Sequence, residues 1–107
     1  MIAKLKSAAA VDLKRGDNEV YAVPDNSNGA KLSEITIANK TSAQVIVTVK
    51  IYKAVINEMV TILPGLQLLA NEGRLIGMST ILETGDKVIV ESNTSSSIDV
   101  LISAIEL

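Results

Sequence analysis

The stretch QVIVTVKIYK, Gln44 to Lys53, decides the fold of this chain because its residues alternate between apolar and polar. Four aliphatic residues occupy every second position: Val45, Val47, Val49 and Ile51. Side chains point alternately to the two sides of an extended strand, so this spacing places all four on one face, whereas a helix would scatter them. The stretch therefore predicts a central β-strand with one buried face. Ile46 and Tyr52 are apolar exceptions on its polar face.

The composition predicts one domain with an aliphatic core. The chain has 107 residues, the usual size of one domain, and contains no Phe, no Trp and only two Tyr. Burying an aliphatic side chain stabilises a fold by roughly 1.5–3 kcal/mol, while ordering a residue costs about 1–2 kcal/mol. The margin for a lone domain of this size is therefore slim, and association with a partner would widen it.

Charge and cysteine content argue against several functions. The formal net charge is −2 and the charged residues are interspersed, so the sequence predicts no nucleic-acid partner and no membrane partner. The absence of Cys suits folding in a reducing cytoplasm. The sequence shows no signal-peptide pattern and no apolar run of the ~20 residues that span a bilayer, so we expect a soluble protein that is not exported.

Short apolar segments separated by turns precede the central strand. We predict strands at residues 19–23 and 32–39, with Ile35 and Ile37 facing inward, and a turn at residues 25–29. Only a short polar segment, residues 39–43, separates the second of these strands from the central strand. We therefore expect the two to form an antiparallel hairpin.

The same pattern continues after the central strand. We predict a strand at residues 59–63 that ends at Pro64-Gly65, short apolar pieces with a turn at residues 77–80, a hairpin turn at Gly85-Asp86, and strands at residues 87–92 and 98–107. Closely spaced strands and turns are typical of sandwiches and jelly rolls. The predicted fold is all-β: a single antiparallel β-sandwich, jelly-roll or Ig-like, formed by residues 17–107 and preceded by an N-terminal arm.

The N-terminal arm, residues 1–16, leaves its conformation open. Its apolar residues recur at helical spacing, yet part of the segment could equally run extended, and no residue caps a helix clearly. The arm either adds a turn or edge strand to its own domain or reaches onto a neighbouring subunit.

The last predicted strand carries apolar residues on both faces. One face has Ile98, Val100, Ile102 and Ala104, and the other has Leu101, Ile105 and Leu107. A two-sheet sandwich buries only one face of each strand, so the second face needs a cover, either the arm or a second subunit. We predict a subunit contact there.

The sequence offers no chemistry of an active site. It contains no His, which removes the commonest general base and most zinc sites, and its carboxylates are spread singly. The segment with Asp25, Ser27 and Gly29 lacks the spacing of a helical calcium-binding loop, so we interpret it as a turn in which Asn28-Gly29 supplies positive φ. We therefore predict no catalytic residue, no cofactor, no metal and no enzymatic activity.

Several segments together resemble the small virion structural proteins of tailed bacteriophages. They are VYAVP (Val20 to Pro24), ITIAN (Ile35 to Asn39), ILPGLQLLANEG (Ile62 to Gly73), ILETGDKVIVES (Ile81 to Ser92) and SAIEL (Ser103 to Leu107). The resemblance implies a sandwich that sits on a capsid, neck or tail. It implies no catalytic residues.

The first functional hypothesis from this resemblance is a capsid decoration or cement protein that binds across capsid subunits and stabilises the head. Its partners would be itself, as a trimer or dimer, and the major capsid protein or another virion protein. Its location would be the virion, assembled in the host bacterial cytoplasm. The candidate contact residues are Ile2, Leu5, Ile46, Tyr52, Leu101, Ile105 and Leu107.

Two alternative functions stay open from the sequence. The chain could be a neck or tail accessory protein, which is also structural. It could instead be a host-surface or carbohydrate-binding module, although only two tyrosines are available to stack on a sugar.

Overall fold

The computed structural model describes residues 3–107, and within that range the chain forms eight β-strands and no helix. The strands are β1 (Lys4–Ala10), β2 (Gly16–Ala22), β3 (Ala30–Asn39), β4 (Val45–Lys53), β5 (Glu58–Leu68), β6 (Gly73–Leu82), β7 (Lys87–Ser92) and β8 (Ile98–Glu106). Over the same range no helix is long and apolar enough to cross a membrane.

The eight described strands form two antiparallel sheets of four strands each. Sheet A has the order β1-β8-β3-β6, and sheet B has the order β2-β7-β4-β5. Most connections carry the chain from one sheet to the other, which is the arrangement of an eight-stranded jelly roll. The predicted all-β antiparallel sandwich is therefore confirmed, and it is a jelly roll.

The aliphatic core lies between the two sheets. β4 is an internal strand of sheet B, between β7 and β5, and the four aliphatic residues that alternate along it are buried, as predicted. Ile35 and Ile37 of β3 are buried opposite them, in agreement with their predicted inward orientation. The inner face of β8 is buried as well: Ile98, Val100, Ile102 and Ala104.

The predicted hairpin between the strand at residues 32–39 and the central strand is wrong. β3 lies in sheet A and β4 in sheet B, so residues 40–44 carry the chain across the sandwich. Buried Asn39 stabilises this crossing, because its side-chain amide donates to Ala43 O (2.7 Å) and to Leu69 O (3.0 Å). Two strands with one apolar face each can face one another across a core as well as lie side by side, and alternation does not distinguish these cases.

The predicted strand end at Pro64-Gly65 is also wrong, because β5 continues to Leu68. β5 is an edge strand, and its pairing with β4 shifts register between Leu63 and Leu66, so Pro64 and Gly65 lie in a bulge. Proline is tolerated at such a position because no ladder hydrogen bond requires its missing N–H. Gly65 has φ +59° and donates its N–H to Thr48 Oγ1 (3.0 Å).

Two further predicted turns differ from the structure. Residues 77–80 continue the edge strand β6, because they keep the alternation of exposed and partly buried side chains. Gly85-Asp86 is not a hairpin turn, since β6 and β7 belong to different sheets. Gly85 does adopt a turn conformation, with φ +89°, but Asp86 is fully buried.

The described part of the N-terminal arm is extended where it forms β1. This strand lies at the edge of sheet A and pairs with β8 from Lys4 opposite Glu106 to Ala10 opposite Val100. The division into an arm of residues 1–16 and a domain of residues 17–107 stays a prediction.

Candidate interaction surfaces

The outer face of sheet A consists of three rows of side chains that run across its four strands. The Leu5 row contains Leu5, Ile105, Lys31 and Ile81. The Ser7 row contains Ser7, Ser103, Glu34 and Gly77. The Ala9 row contains Ala9, Leu101, Thr36 and Leu75. In each row the residues come from β1, β8, β3 and β6 in that order, so the register of the sheet assembles the surface from distant parts of the chain.

The Leu5 and Ala9 rows of this outer face are largely apolar and uncovered. Leu5 is 89% exposed, Ile81 66%, Leu75 64% and Leu101 46%. Only two of the twelve positions in the three rows, Lys31 and Glu34, carry charge. An antiparallel sheet normally presents a polar outer face to water, and rows of exposed large apolar side chains on a small protein indicate a contact surface.

The outer face of sheet B has the opposite character. Lys50 forms ion pairs with Glu91 (2.8 Å) and Asp17 (3.0 Å), and these hydrogen bonds raise the pKa of Lys50. Lys87 pairs with Glu19 at 3.2 Å, and its ammonium group lies 5.7 Å from the centre of the Tyr52 ring. This network of charges makes the outer face of sheet B more polar than that of sheet A, although Ile46 and Met59 are also exposed there.

The structure distributes the predicted contact residues over two opposite sides. Leu5 and Ile105 are direct cross-strand neighbours on sheet A, and Leu101 lies on the same face. Ile46 and Tyr52 lie on the outer face of sheet B, so one flat contact cannot include both groups. Ile2 is outside the described residues. The assignment of these residues to an interface stays a prediction.

Leu107, the remaining predicted contact residue, lies at one end of the sandwich and is 44% exposed. Together with Val55 and Ile81 it lines an open groove of about 610 Å³. Val55 and Ile56 form the tip of the turn between β4 and β5, and both are exposed. We call Val55 and Ile56 the apolar tip.

Sequence reasoning missed the apolar tip and the β6 residues Leu75 and Ile81. The signal for β6 was present, because residues 73, 75, 77, 79 and 81 are its exposed positions and alternate strictly. The predicted turn at residues 77–80 divides this alternation into two short pieces, so the sequence does not predict β6 as one strand. The tip has no periodic pattern, so only its position in the fold identifies it.

Buried Asp86 holds this end of the sandwich together. Its carboxylate accepts the N–H of Ala54 (3.0 Å) and of Glu83 (2.8 Å) and pairs with the Lys53 ammonium group. Burial by itself disfavours the charged carboxylate, but Lys53 and the two N–H groups outweigh burial and lower the pKa of Asp86. Asp86 therefore fixes the turn that carries the apolar tip.

The remaining polar groups are satisfied within the fold. Among residues 3–107, every buried side-chain nitrogen or oxygen atom has a hydrogen-bond partner. In the same part of the chain no three residues of the types His, Cys, Asp and Glu are grouped so that they could hold a metal ion. No buried polar side chain in this part of the chain is therefore left over for a ligand, and the exposed surfaces are the features available for interaction.

Comparison with known proteins establishes the fold. No protein-family model matches the sequence, and no curated protein is similar to it in sequence. A chain of the infectious bursal disease virus particle has a similar structure, with a TM-score of 0.62 and 8% identity over 97% of this chain. This chain spans only 30% of that viral chain.

Two other similar structures have nearly the length of this chain. One is from the capsid of Helicobacter pylori bacteriophage KHP30, with a TM-score of 0.64 and 15% identity over 100% of this chain and 89% of that one. The other is the core of Drosophila NLP, a protein described in terms of pentamer formation and histone binding, with a TM-score of 0.58 and 14% identity over 99% and 97%. At these identities the likeness shows a shared jelly-roll fold.

Proposed function

We propose that this chain is a non-enzymatic structural protein of a virion, and specifically a capsid decoration or cement protein that binds across capsid subunits and stabilises the head. The observation that carries the proposal is a jelly roll whose uncovered apolar surfaces face two directions. One is the outer face of sheet A, and the other is the end of the sandwich at the apolar tip.

A protein that links subunits must contact at least two bodies at once. The outer face of sheet A is broad enough for one contact, and the tip residues Val55 and Ile56 offer a second at the end of the molecule. Each contact that forms only in the assembled particle adds association free energy and stabilises the assembled state by mass action. Many copies acting together would oppose the pressure of packaged DNA.

The size of the structural relatives supports this role. The matching chain of the KHP30 capsid structure is close to this one in length, because this chain covers 89% of it. A jelly roll this small therefore exists as a separate chain in a phage capsid. The proposed partners are a second copy of this protein and the major capsid protein or another virion protein, in a particle assembled in the bacterial cytoplasm.

Binding of the purified protein to heads assembled without it tests this proposal. We expect the number of bound copies to saturate in proportion to the number of capsomers. Saturation at a handful of copies per particle would contradict decoration and indicate a neck or tail position. No binding to heads, with binding to glycans or host cells instead, would contradict a virion role altogether.

A matched pair of variants tests the apolar tip. The double variant V55S/I56S removes two exposed aliphatic side chains, each of which contributes roughly 1.5–3 kcal/mol when buried, so binding to heads should weaken at least 10-fold. T61S changes an exposed residue of β5 and should bind as the wild type does. Unchanged binding of V55S/I56S would exclude the tip from the shell contact.

A further inference from the structure

The outer face of sheet A has a relief of ridges and a trough. The Leu5 row presents large side chains from Leu5, Ile105 and Ile81, whereas the neighbouring Ser7 row has Ser7, Ser103 and Gly77 at the same three strands. The large row is a ridge and the small row is a trough beside it. An open groove of about 440 Å³ lies here, lined by residues of β1, β3 and β8.

The only two charges in the three rows lie on the same strand, at adjacent rows, and have opposite signs. Lys31 belongs to the Leu5 row and Glu34 to the Ser7 row, both on β3. Among the described residues neither side chain forms an ion pair, while eight other pairs do form. Both are partly exposed, so each is available to a partner of opposite charge.

We propose that the outer face of sheet A packs against the same face of a second copy across a two-fold axis that runs parallel to the rows, between the Leu5 row and the Ser7 row. This rotation exchanges the two rows. The ridge of one copy enters the trough of the other, and the reverse contact forms at the same time. Lys31 then faces the partner's Glu34, and Glu34 faces the partner's Lys31.

A second copy fits this face better than a different protein does, because the face is complementary to itself. A two-fold interface requires that one patch contain both halves of every contact. Here a single two-fold rotation places large side chains opposite small ones on β1, β8 and β6. The same rotation places Lys31 opposite Glu34 on β3. An unrelated partner would use only one residue of each matched pair, so it would not account for both being present on this face.

The size of the face sets the strength of the contact. With this axis the Leu5 and Ser7 rows of the two copies overlap, so four strands about 4.8 Å apart over roughly four residues, at about 3.3 Å per residue, give a projected overlap on the order of 250 Å² per copy. Two such faces lie below the roughly 1,200–2,000 Å² that stable interfaces bury, so we expect a weak, reversible dimer. The inference does not depend on the virion role, because only contact between copies is involved.

Charge reversal on β3 tests this dimer in the full chain. Wild type should sediment as a dimer at about 100 µM. K31E and E34K should each be monomers, because residues 31 and 34, which face each other across the axis, are then both negative in K31E and both positive in E34K. Mixing the two variants should restore a dimer, because each copy then meets the opposite charge. K87E makes the same change on sheet B and should dimerise as wild type does.

Several outcomes would overturn the proposal. They are a wild-type monomer or trimer at this concentration, single variants that dimerise normally, or a mixture that stays monomeric.

Cysteine cross-linking gives an independent check, since the sequence contains no Cys. A short thiol-reactive cross-linker spans the ~10 Å between packed sheets, so on mixing K31C and E34C should cross-link to each other in clear excess over like pairs, and equal yields of all pairs would contradict the axis. Binding to heads is a separate readout that can fail while the dimer stands.

Discussion

At the level of single residues, Asp86 connects stability to the proposed shell contact. Its carboxylate joins Lys53 at the end of β4 to Ala54 and Glu83, which belong to the two turns at that end of the sandwich. A turn held by a buried ionised group keeps the apolar tip in one position. The same group makes that end of the molecule sensitive to acid.

Replacing Asp86 with Asn should lower the free energy of unfolding by about 1.5–3 kcal/mol. The reason is that hydrogen bonds to a charged group are lost and the Lys53 ammonium loses its buried partner. Urea unfolding monitored by circular dichroism measures the change. D25N, in the exposed loop after β2, is the control and should lie within about 0.5 kcal/mol of wild type. Equal stability of D86N and wild type would show that the pair contributes nothing.

Acid should destabilise the fold. Hydrogen bonds to N–H groups and cations lower the pKa of Asp86, Asp99 and Glu72, whereas in the unfolded chain these groups titrate at about 3.9–4.3. The folded state therefore binds fewer protons, and its stabilisation is present above that range and lost as pH falls through the lowered pKa values. Urea unfolding at pH 7, 5, 4 and 3 should show falling stability, with a smaller decrease in D86N. A flat profile below pH 5 would contradict the lowered pKa values.

At the level of strands, the sequence predicts which face of a strand is buried but not which strand lies beside it. The alternation in β4 and β8 specified their inner faces correctly, because one apolar face must meet the core. It did not place β3 and β4 in different sheets. Local sequence predicts a strand end at Pro64, because the edge position and the bulge that accommodate proline depend on pairing with β4.

The candidate surface was predictable to the same partial extent. Leu101 and Ile105 stand out because β8 is apolar on both faces. Leu75 and Ile81 join them only through the register of β3 with β6 and β8, which pairs residues far apart in sequence. Local sequence patterns contain no information on the register of β3 with β6 and β8, so only the structure shows which residues share the outer face of sheet A.

Deleting residues 1–10, which include β1, should leave a folded but weaker domain. Apart from half-buried Ala8 and Ala10, the side chains of β1 are exposed, so little apolar burial is lost. The deletion does leave the inner strand β8 with an unpaired edge, and we expect a loss of about 1–3 kcal/mol. Circular dichroism and urea unfolding test this, with K4S/K6S as a control of unchanged stability. Complete unfolding of the truncated chain would show that β1 is essential to the core.

At the level of the whole molecule, the two sheets present different surfaces to their surroundings. Sheet B presents ion pairs around Lys50 and Lys87, and sheet A presents two largely apolar rows with the small, polar Ser7 row between them. The outer face of sheet B is suited to contact with water, and the outer face of sheet A is suited to contact with another protein surface. This asymmetry favours an ordered position in an assembly, with the charged side outward.

Self-association should make thermal stability depend on protein concentration. A ligand that binds only the folded state raises stability, and here the ligand is a second copy. For a domain of this size we expect the midpoint of thermal unfolding to rise by about 3–6 °C between 1 and 100 µM in wild type. Differential scanning fluorimetry measures this. K31E should show a constant midpoint, and a concentration-dependent rise of equal size in K31E would contradict pairing through sheet A.

The position of β8 also has a consequence for the timing of assembly. β8 is the last of the strands described in residues 3–107, yet it lies between β1 and β3, and Lys4 pairs with Glu106. Sheet A therefore lacks an inner strand until translation reaches residues 98–106. Closing such long loops costs chain entropy before any contact compensates for it, so folding takes milliseconds to seconds. The Leu5 and Ser7 rows consequently form only after residues 98–106 have been synthesised, and self-association through the outer face of sheet A begins only after that point.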